Sequence, residues 1–338
     1  MKTIAFFNNK GGVGKTTLVY HVAHMLVEQG RRVLLLDLDP QSNLSAMCLS
    51  EDRLEELWPD SPDHPDTIFG SIRPILRGIG DIRAPHVEAI VPGLGLVPGD
   101  LALSSFEDKL SDAWPRALDR DEAAFRALSA FYRVTKLAAQ SVDAEIVFFD
   151  VGPNLGAINR AALLASDFVI TPLAPDLYSM QGLRNLGPTL IDWRASWRDR
   201  LDRNTADDIE LPAGTMNPLG YVLMQAGMRL SRPVKAYDRW VRRMPTVFHR
   251  AVLRDESTPA TTEADPWCLG IMRHYQSLMP LAQDAQKPMF QLRPGDGAIG
   301  SQMGAVQRCR ADFDALTIRM LAKIDELDEI DEIDEVAG

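Results

Sequence analysis

The chain has 338 residues, 46% hydrophobic and 25% charged, which is ordinary for a globular protein able to bury a sizeable core. Three cysteines, Cys48, Cys268 and Cys309, stand far apart with no CxxC pair, which argues against a disulfide framework, a zinc ribbon or a local iron–sulfur motif. The net charge of -11 is segregated: Ile324 to Gly338 holds eight acidic residues and no basic one, whereas Arg229 to Arg254 holds eight basic residues against Asp238 alone, so the average excludes no anionic partner.

Met1-Lys2 leads straight into Thr3 to Phe7, which reads as a short buried strand with no signal-peptide pattern before it. No apolar run reaches membrane-spanning length, and a reducing, cytoplasmic setting is the expectation. A glycine loop follows, then a helix from about Thr16 to Gln29 with Leu18, Val19, Val22, Ala23, Leu26 and Val27 at helical spacing. Gly30 stops it. His21 and His24 on this helix read as surface or packing residues, since no HxxxH or His/Cys grouping accompanies them. Val33 to Leu36 is a continuous apolar run ending at Asp37, as in a parallel strand covered on both faces. Ile146 to Phe149, ending at Asp150, and Phe168 to Ile170 repeat that pattern, with a short helix over Ile158 to Ala165 between them. Ser179 reads as the N-cap of a helix through Leu183, Leu186 and Leu190, and Leu219 to Met224 as another buried strand. The alternation predicts an α/β fold: a doubly wound, mostly parallel sheet flanked by helices. The stretches 51–86, 194–218 and 245–265 are rich in Pro, Asp and Arg and are expected as surface insertions on one domain spanning 1–323. In the acidic tail, 324–338, Ile324, Leu327, Ile330, Ile333 and Val336 recur at period three and drift round a helix, so the tail is expected to be flexible or solvated.

The glycine loop carries the chemistry. The usual phosphate-binding pattern, G-x-x-x-x-G-K-[ST], ends here at Gly14-Lys15-Thr16, but its first glycine falls on Asn9. The match is to a variant with lysine at both ends: Lys10-Gly11-Gly12-Val13-Gly14-Lys15-Thr16, followed by Thr17. Small residues let backbone N–H groups approach phosphate oxygens, and the helix beginning near Lys15 points its positive end at them. Lys15 suits the β- and γ-phosphates, and the Thr16 hydroxyl suits Mg²⁺. Asp37, Asp39 and Asp150 sit at strand ends, where a doubly wound sheet binds ligands.

This double-lysine loop resembles the deviant Walker A motif of the ParA/MinD (Soj-like) ATPase family. Asp37-Leu38-Asp39-Pro40-Gln41-Ser42-Asn43 resembles its switch I, Phe148-Phe149-Asp150 its Walker B strand, and Val151 to Gly156 its switch II. Leu96-Val97-Pro98-Gly99 and Asp167 to Leu183 are also similar. The likeness covers about residues 1–195 and is greatest to the partition branch. It implies ATP and Mg²⁺ as cofactors, a homodimer closed around ATP, and hydrolysis to ADP and phosphate. It implies that Lys10 reaches the partner's phosphates, that Asp39 orients the attacking water, and that Asp37 and Asp150 support Mg²⁺. Switch II departs from the family: Gly152-Pro153 replaces two prolines, which implies a more mobile turn. The base would lie near Gln225 and Pro288, with Phe290 beside it.

Arg232, Lys235, Arg239, Arg242 and Arg243 recur at helical spacings with Tyr237 and Trp240 between them. They suit either phosphate-backbone contacts to non-specific DNA or a solvated helix face. The resemblance favours DNA and implies nucleoid association. It also implies partition or positioning of DNA or another cargo, with a ParB-like protein stimulating hydrolysis. Two alternatives remain: a MinD-like membrane-positioning ATPase, against which the acidic tail argues, and a metabolic ligase on the same scaffold.

Overall fold

The computed structural model describes residues 1–224, 234–257, 259, 261–275 and 277–337; for 234–237 and 331–337 it describes the helical backbone only. An eight-stranded sheet organises the chain. Its strands are β1 (Lys2–Phe6), β2 (Val33–Asp37), β3 (Glu88–Val91), β4 (Leu94–Val97), β5 (Ile146–Asp150), β6 (Phe168–Leu173), β7 (Asn217–Met224) and β8 (Cys268–Met272), in the order β3-β4-β2-β5-β1-β6-β7-β8. Every neighbouring pair is parallel except β3 with β4. The continuous apolar runs follow from this arrangement, because alternate side chains enter two different cores. Ala5, Leu34, Leu36, Val147 and Phe149 face one core, while Ile4, Val33, Leu35, Ile146 and Phe148 face the other.

The helices are α1 (Lys15–Glu28), α2 (Asn43–Cys48), α3 (Glu51–Leu57), α4 (Ile68–Arg77), α5 (Phe106–Arg116), α6 (Glu122–Leu128), α7 (Ala130–Ser141), α8 (Ala157–Leu164), α9 (Leu177–Leu201), α10 (Val234–Phe248), α11 (Met279–Asp284) and α12 (Ser301–Ala337). Helices α4 to α9 contribute buried residues to the first core, and α1 and α12 cover the second. A third, smaller core lies where α10 packs over β7, built from Met244, Val247, Phe248, Tyr221 and Leu223.

Five expectations are corrected. The stretch 51–86 holds α3 and α4, and Ile68, Phe69, Ile72 and Ile75 bury one face of α4 in the core. The stretch 194–218 begins with the last turns of α9, and Trp197 is fully buried, donating from Nε1 to the Pro212 carbonyl at 2.9 Å. The stretch 245–265 contains a π-helical turn, His249–Leu253, in which buried His249 lies 3.0 Å from Asp265. The acidic tail continues α12. Ile324 is buried, Leu327 packs on the core, and Asp328 pairs with Lys2 at 2.6 Å. Ile324 and Leu327 meet the core whereas Ile330 is exposed, as the drift of a period-three series requires. Ser179 is also not the cap of α9. Asp176 is the N-cap and accepts the Ser179 N–H at 2.9 Å.

Trp197→Ala should cost about 3–5 kcal/mol, the range for emptying an aromatic site in a core. Urea unfolding measures this, and a loss within about 0.5 kcal/mol would return 194–218 to the surface.

Candidate nucleotide site

Strand register sets the site. Asp37 and Asp150 are paired positions at the ends of β2 and β5, and Phe6 of β1 pairs with Asp150 on its other side. The loop that follows β1 therefore emerges beside two carboxylates. Asn8 fixes its start: it is buried, donates from Nδ2 to the Pro172 carbonyl at 2.6 Å and accepts the Lys10 N–H at 3.1 Å. Gly12 (φ 72°) and Gly14 (φ 87°) take left-handed conformations that a side chain disfavours, and Gly14 is the N-cap from which α1 starts. The first amides of α1 thus open onto the loop's concavity.

Lys15 pairs with Asp150 through Nζ, and Thr16 donates its hydroxyl to the other Asp150 oxygen at 2.7 Å. Asp37 is buried; its Oδ2 accepts both the N–H and the hydroxyl of Ser45 at 2.8 Å, while Oδ1 has no partner among the described residues. Burial, then the nearby Asp150 and Asp39, push the Asp37 carboxyl up to about 7 against the two Ser45 hydrogen bonds. Asp39 accepts the Gln41 N–H at 3.0 Å. Lys10 pairs with Asp176, the cap of α9. Burial pushes the Asp176 carboxyl up, but hydrogen bonds from Lys10 and Ser179 outweigh it and hold the group below the usual carboxylate range.

A cavity of about 610 Å³ is lined by the whole loop from Lys10 to Thr17, by Asp39 and Gln41, and by Pro153 of the turn after β5. A second cleft of about 210 Å³ shares Gly12, Val13, Gly14 and Thr17 with it and has an apolar wall of Met224, Met272, Tyr275, Met279 and Met289. The residues expected around the base stand as follows. Pro288 lines neither cavity, and Phe290 is buried against His21 and Phe313. Gln225 lies outside the described residues. His21 is a packing residue: Nδ1 donates to the Thr17 carbonyl at 2.7 Å, Nε2 accepts the Met289 N–H at 3.0 Å, and burial pulls its pKa down to about 4. His24 is buried against Tyr20 and is likewise pushed down, to about 3.

The donors fit a magnesium ion shared with phosphates. Among the described residues no group of three His, Cys, Asp or Glu side chains could cage a metal alone. Magnesium bound with phosphates needs only one or two carboxylates and a hydroxyl. The Thr16 hydroxyl touching Asp150, with the unpartnered Asp37 Oδ1 nearby in the register, is such a set.

Sequence reasoning missed Asp176 as the partner of Lys10, although Asp176-Leu177-Tyr178-Ser179 carries the spacing of a capping residue and its third-position amide. It also missed Arg184, and did not single out Arg250 within the basic segment 229–254. Arg184 of α9 and Arg250 join Arg243 around an open cleft of about 450 Å³. Arg239 and Arg243 flank the Trp240 ring at 5.5 and 5.6 Å, and Arg242 is exposed. Arg232 lies outside the described residues, as does the side chain of Lys235 on α10.

An AAA domain family model matches residues 1–202. The chain is 31% identical over 189 residues to a virulence plasmid ParA family protein of Chlamydia psittaci, covering 55% of this chain and 62% of that one. It is 30% identical over 202 residues to the chromosome partitioning protein ParA of Caulobacter vibrioides, covering 60% and 67%. It spans 62%, 42% and 47% of three such relatives, the Chlamydia protein, a putative replication protein A of Rhizobium rhizogenes and IncC of Escherichia coli. Among solved structures, a protein of Corynebacterium diphtheriae matches with a TM-score of 0.66 and 25% identity over 96% of this chain and 99% of that one. A putative plasmid partition protein of Borrelia burgdorferi bound to AMPPNP matches with a TM-score of 0.59 over 95% and 99%; at 17% identity it shares the fold alone.

The Asp37 carboxyl gives a pH signature. Its pKa rises from 3.8 unfolded to about 7 folded, so its contribution to stability is complete below the first value and is lost as pH rises through the second. Asparagine keeps the acceptor for Ser45 without the charge. Without nucleotide, Asp37→Asn should be more stable than the wild type above about pH 7, with the gap closing as pH falls towards about 4. Urea unfolding across that range measures it; a gap independent of pH would contradict the assignment.

Proposed function

The chain belongs to the AAA domain family of ParA-type P-loop ATPases, and from that membership and the site we propose that it binds Mg·ATP, dimerises around it and resets by hydrolysing it. One observation carries the reading: Lys10, Lys15, Thr16, Asp37, Asp39 and Asp150 converge on one phosphate loop at the carboxyl ends of parallel strands.

ATP phosphates would take Lys15 from Asp150 and occupy the loop amides, exchanging one charge-assisted contact for several. The Thr16 hydroxyl and Asp150, supported by Asp37, would hold Mg²⁺, which supplies charge neutralisation across the phosphate oxygens. Asp39 would align the attacking water by accepting its hydrogen bond. Lys10 would leave Asp176 and reach the phosphates bound by a second copy. Phosphoryl transfer to water needs positioning and charge stabilisation above all, and these side chains supply both types of group.

The output we propose is positioning or partition of DNA or another cargo. Arg239, Arg242, Arg243 and, from α9, Arg184 offer positive charge without a base-reading element, which suits non-specific backbone contacts. The resemblance to the partition branch supports a ParB-like partner that stimulates hydrolysis as part of this proposal. Among the described residues no helix is long and apolar enough to cross a membrane, and the acidic end of α12 does not suit an anionic bilayer.

DNA binding measured with ATP, with ADP and without nucleotide tests this. The wild type should bind tightly only with ATP, with affinity falling steeply as salt rises. Lys15→Ala should weaken ATP binding by roughly 30-fold, the loss of one charge-assisted contact of about 2 kcal/mol, and DNA binding should fall with it. Binding indifferent to nucleotide and to Lys15 would sink the switch reading.

A further inference from the structure

Glu107, on α5, lies outside every motif considered so far. Its carboxylate accepts the N–H of Ala157 at 2.5 Å and that of Ile158 at 2.9 Å, one on each oxygen. These are the first two residues of α8, whose opening amides have no partner within the helix. A carboxylate there satisfies both and complements the helix dipole. The approach is close: a Cβ on Gly156 would lie 2.6 Å from Glu107 Oε1, so a side chain at 156 would force the carboxylate to shift. One helical turn on, the Arg160 guanidinium lies 4.0 Å from the centre of the Trp114 ring, again on α5.

Helix α8 in turn holds the segment that leads back to the site. Asn159 is buried, and its Nδ2 donates to the Gly152 carbonyl at 2.8 Å and the Asn154 carbonyl at 2.6 Å. Between them, Pro153 lines the phosphate cavity and lies beside Gly11 of the loop, and the Cα face of Gly152 lies beside Asp39. Glu107, α8, Asn159 and the turn 152–156 thus form one continuous chain of contacts ending at the candidate water-orienting carboxylate and the phosphate loop.

We propose that Glu107 is a positioning residue for hydrolysis: by closing the first turn of α8 it sets where Gly152 and Pro153 stand against Asp39 and the phosphate loop. The inference rests on the ATPase reading and extends it to a residue in another helix. It also accounts for Gly152-Pro153 where the family has two prolines. The side chains of Glu107 and Asn159 supply the restraint that a second proline ring would give, and the turn is held without it.

Glu107→Gln and Asn159→Ala in the full chain test this by three readouts: steady-state ATP turnover, affinity for a fluorescent ATP analogue, and amide exchange of residues 152–158 without nucleotide. Glu107→Gln keeps one acceptor and the side-chain shape, so it tests the charge without opening a cavity. Both variants should lower turnover by about tenfold, leave analogue affinity within about twofold, and speed exchange over 152–158 by about tenfold. Unchanged exchange over 152–158, or turnover and affinity falling by the same factor, would overturn the proposal. A wild type without ATP turnover would overturn the ATPase reading and with it the catalytic half of the proposal, while exchange over 152–158 would still decide the clamp.

Discussion

The structure depends on one register: β2 and β5 run parallel with Asp37 opposite Asp150. Two carboxylates at the buried ends of adjacent strands repel each other and lack water, a costly arrangement unless cations and donors answer it. Lys15, Thr16 and both polar groups of Ser45 do so. The rest of the site follows from that requirement. Lys15 can reach Asp150 because β1 lies beside β5 and the loop after β1 turns through Gly12 and Gly14 into α1. The same carboxylate density that costs stability suits a hard cation.

Both lysines of the loop are paired with carboxylates of their own chain, and the two pairs reach different parts of the fold. Lys15 ties the loop to β5 and the turn after it, whereas Lys10 ties it to Asp176 and α9. Helix α9 is 25 residues long and carries Arg184 beside the basic cleft; it also packs on the π-helical turn that follows α10. A phosphate group that competes for the two lysines therefore acts on the turn after β5 and on the helix that borders the basic surface. On the proposed function, that shared element would be the physical route linking nucleotide state to the basic surface.

The parts legible in the sequence were those fixed by local geometry. A glycine loop between an apolar run and a helical pattern, and aspartates closing apolar runs, are properties of short segments: β1, β2, β5, β7 and α1 fall within a residue or two of their expected bounds, β6 runs three residues past its expected end, and β3, β4 and β8 were not expected as strands. What was hidden depends on distant partners. Asp176 meets Lys10 across 166 residues and Glu107 meets Ala157 across 50. Helix α4 was obscured by Pro74 within it and by the polar, proline-rich stretch before it, although its buried face recurs at helical spacing. Trp197 lies in an arginine-rich run that reads as surface, yet it stacks on Trp114 from α5. In the acidic tail, the period-three series hid the fact that Ile324 and Leu327 continue the buried stripe of α12.

The central claim is that this loop makes a switch by closing two copies around ATP, with Lys10 as the residue that crosses between them. The molar mass of the full chain in solution with ATP, with ADP and without nucleotide tests it most directly, for the wild type and Lys10→Ala. The account predicts a dimer only for the wild type with ATP, while Lys10→Ala stays monomeric and still binds ATP. A mass indifferent to nucleotide, or a Lys10→Ala chain that dimerises as the wild type does, would contradict it.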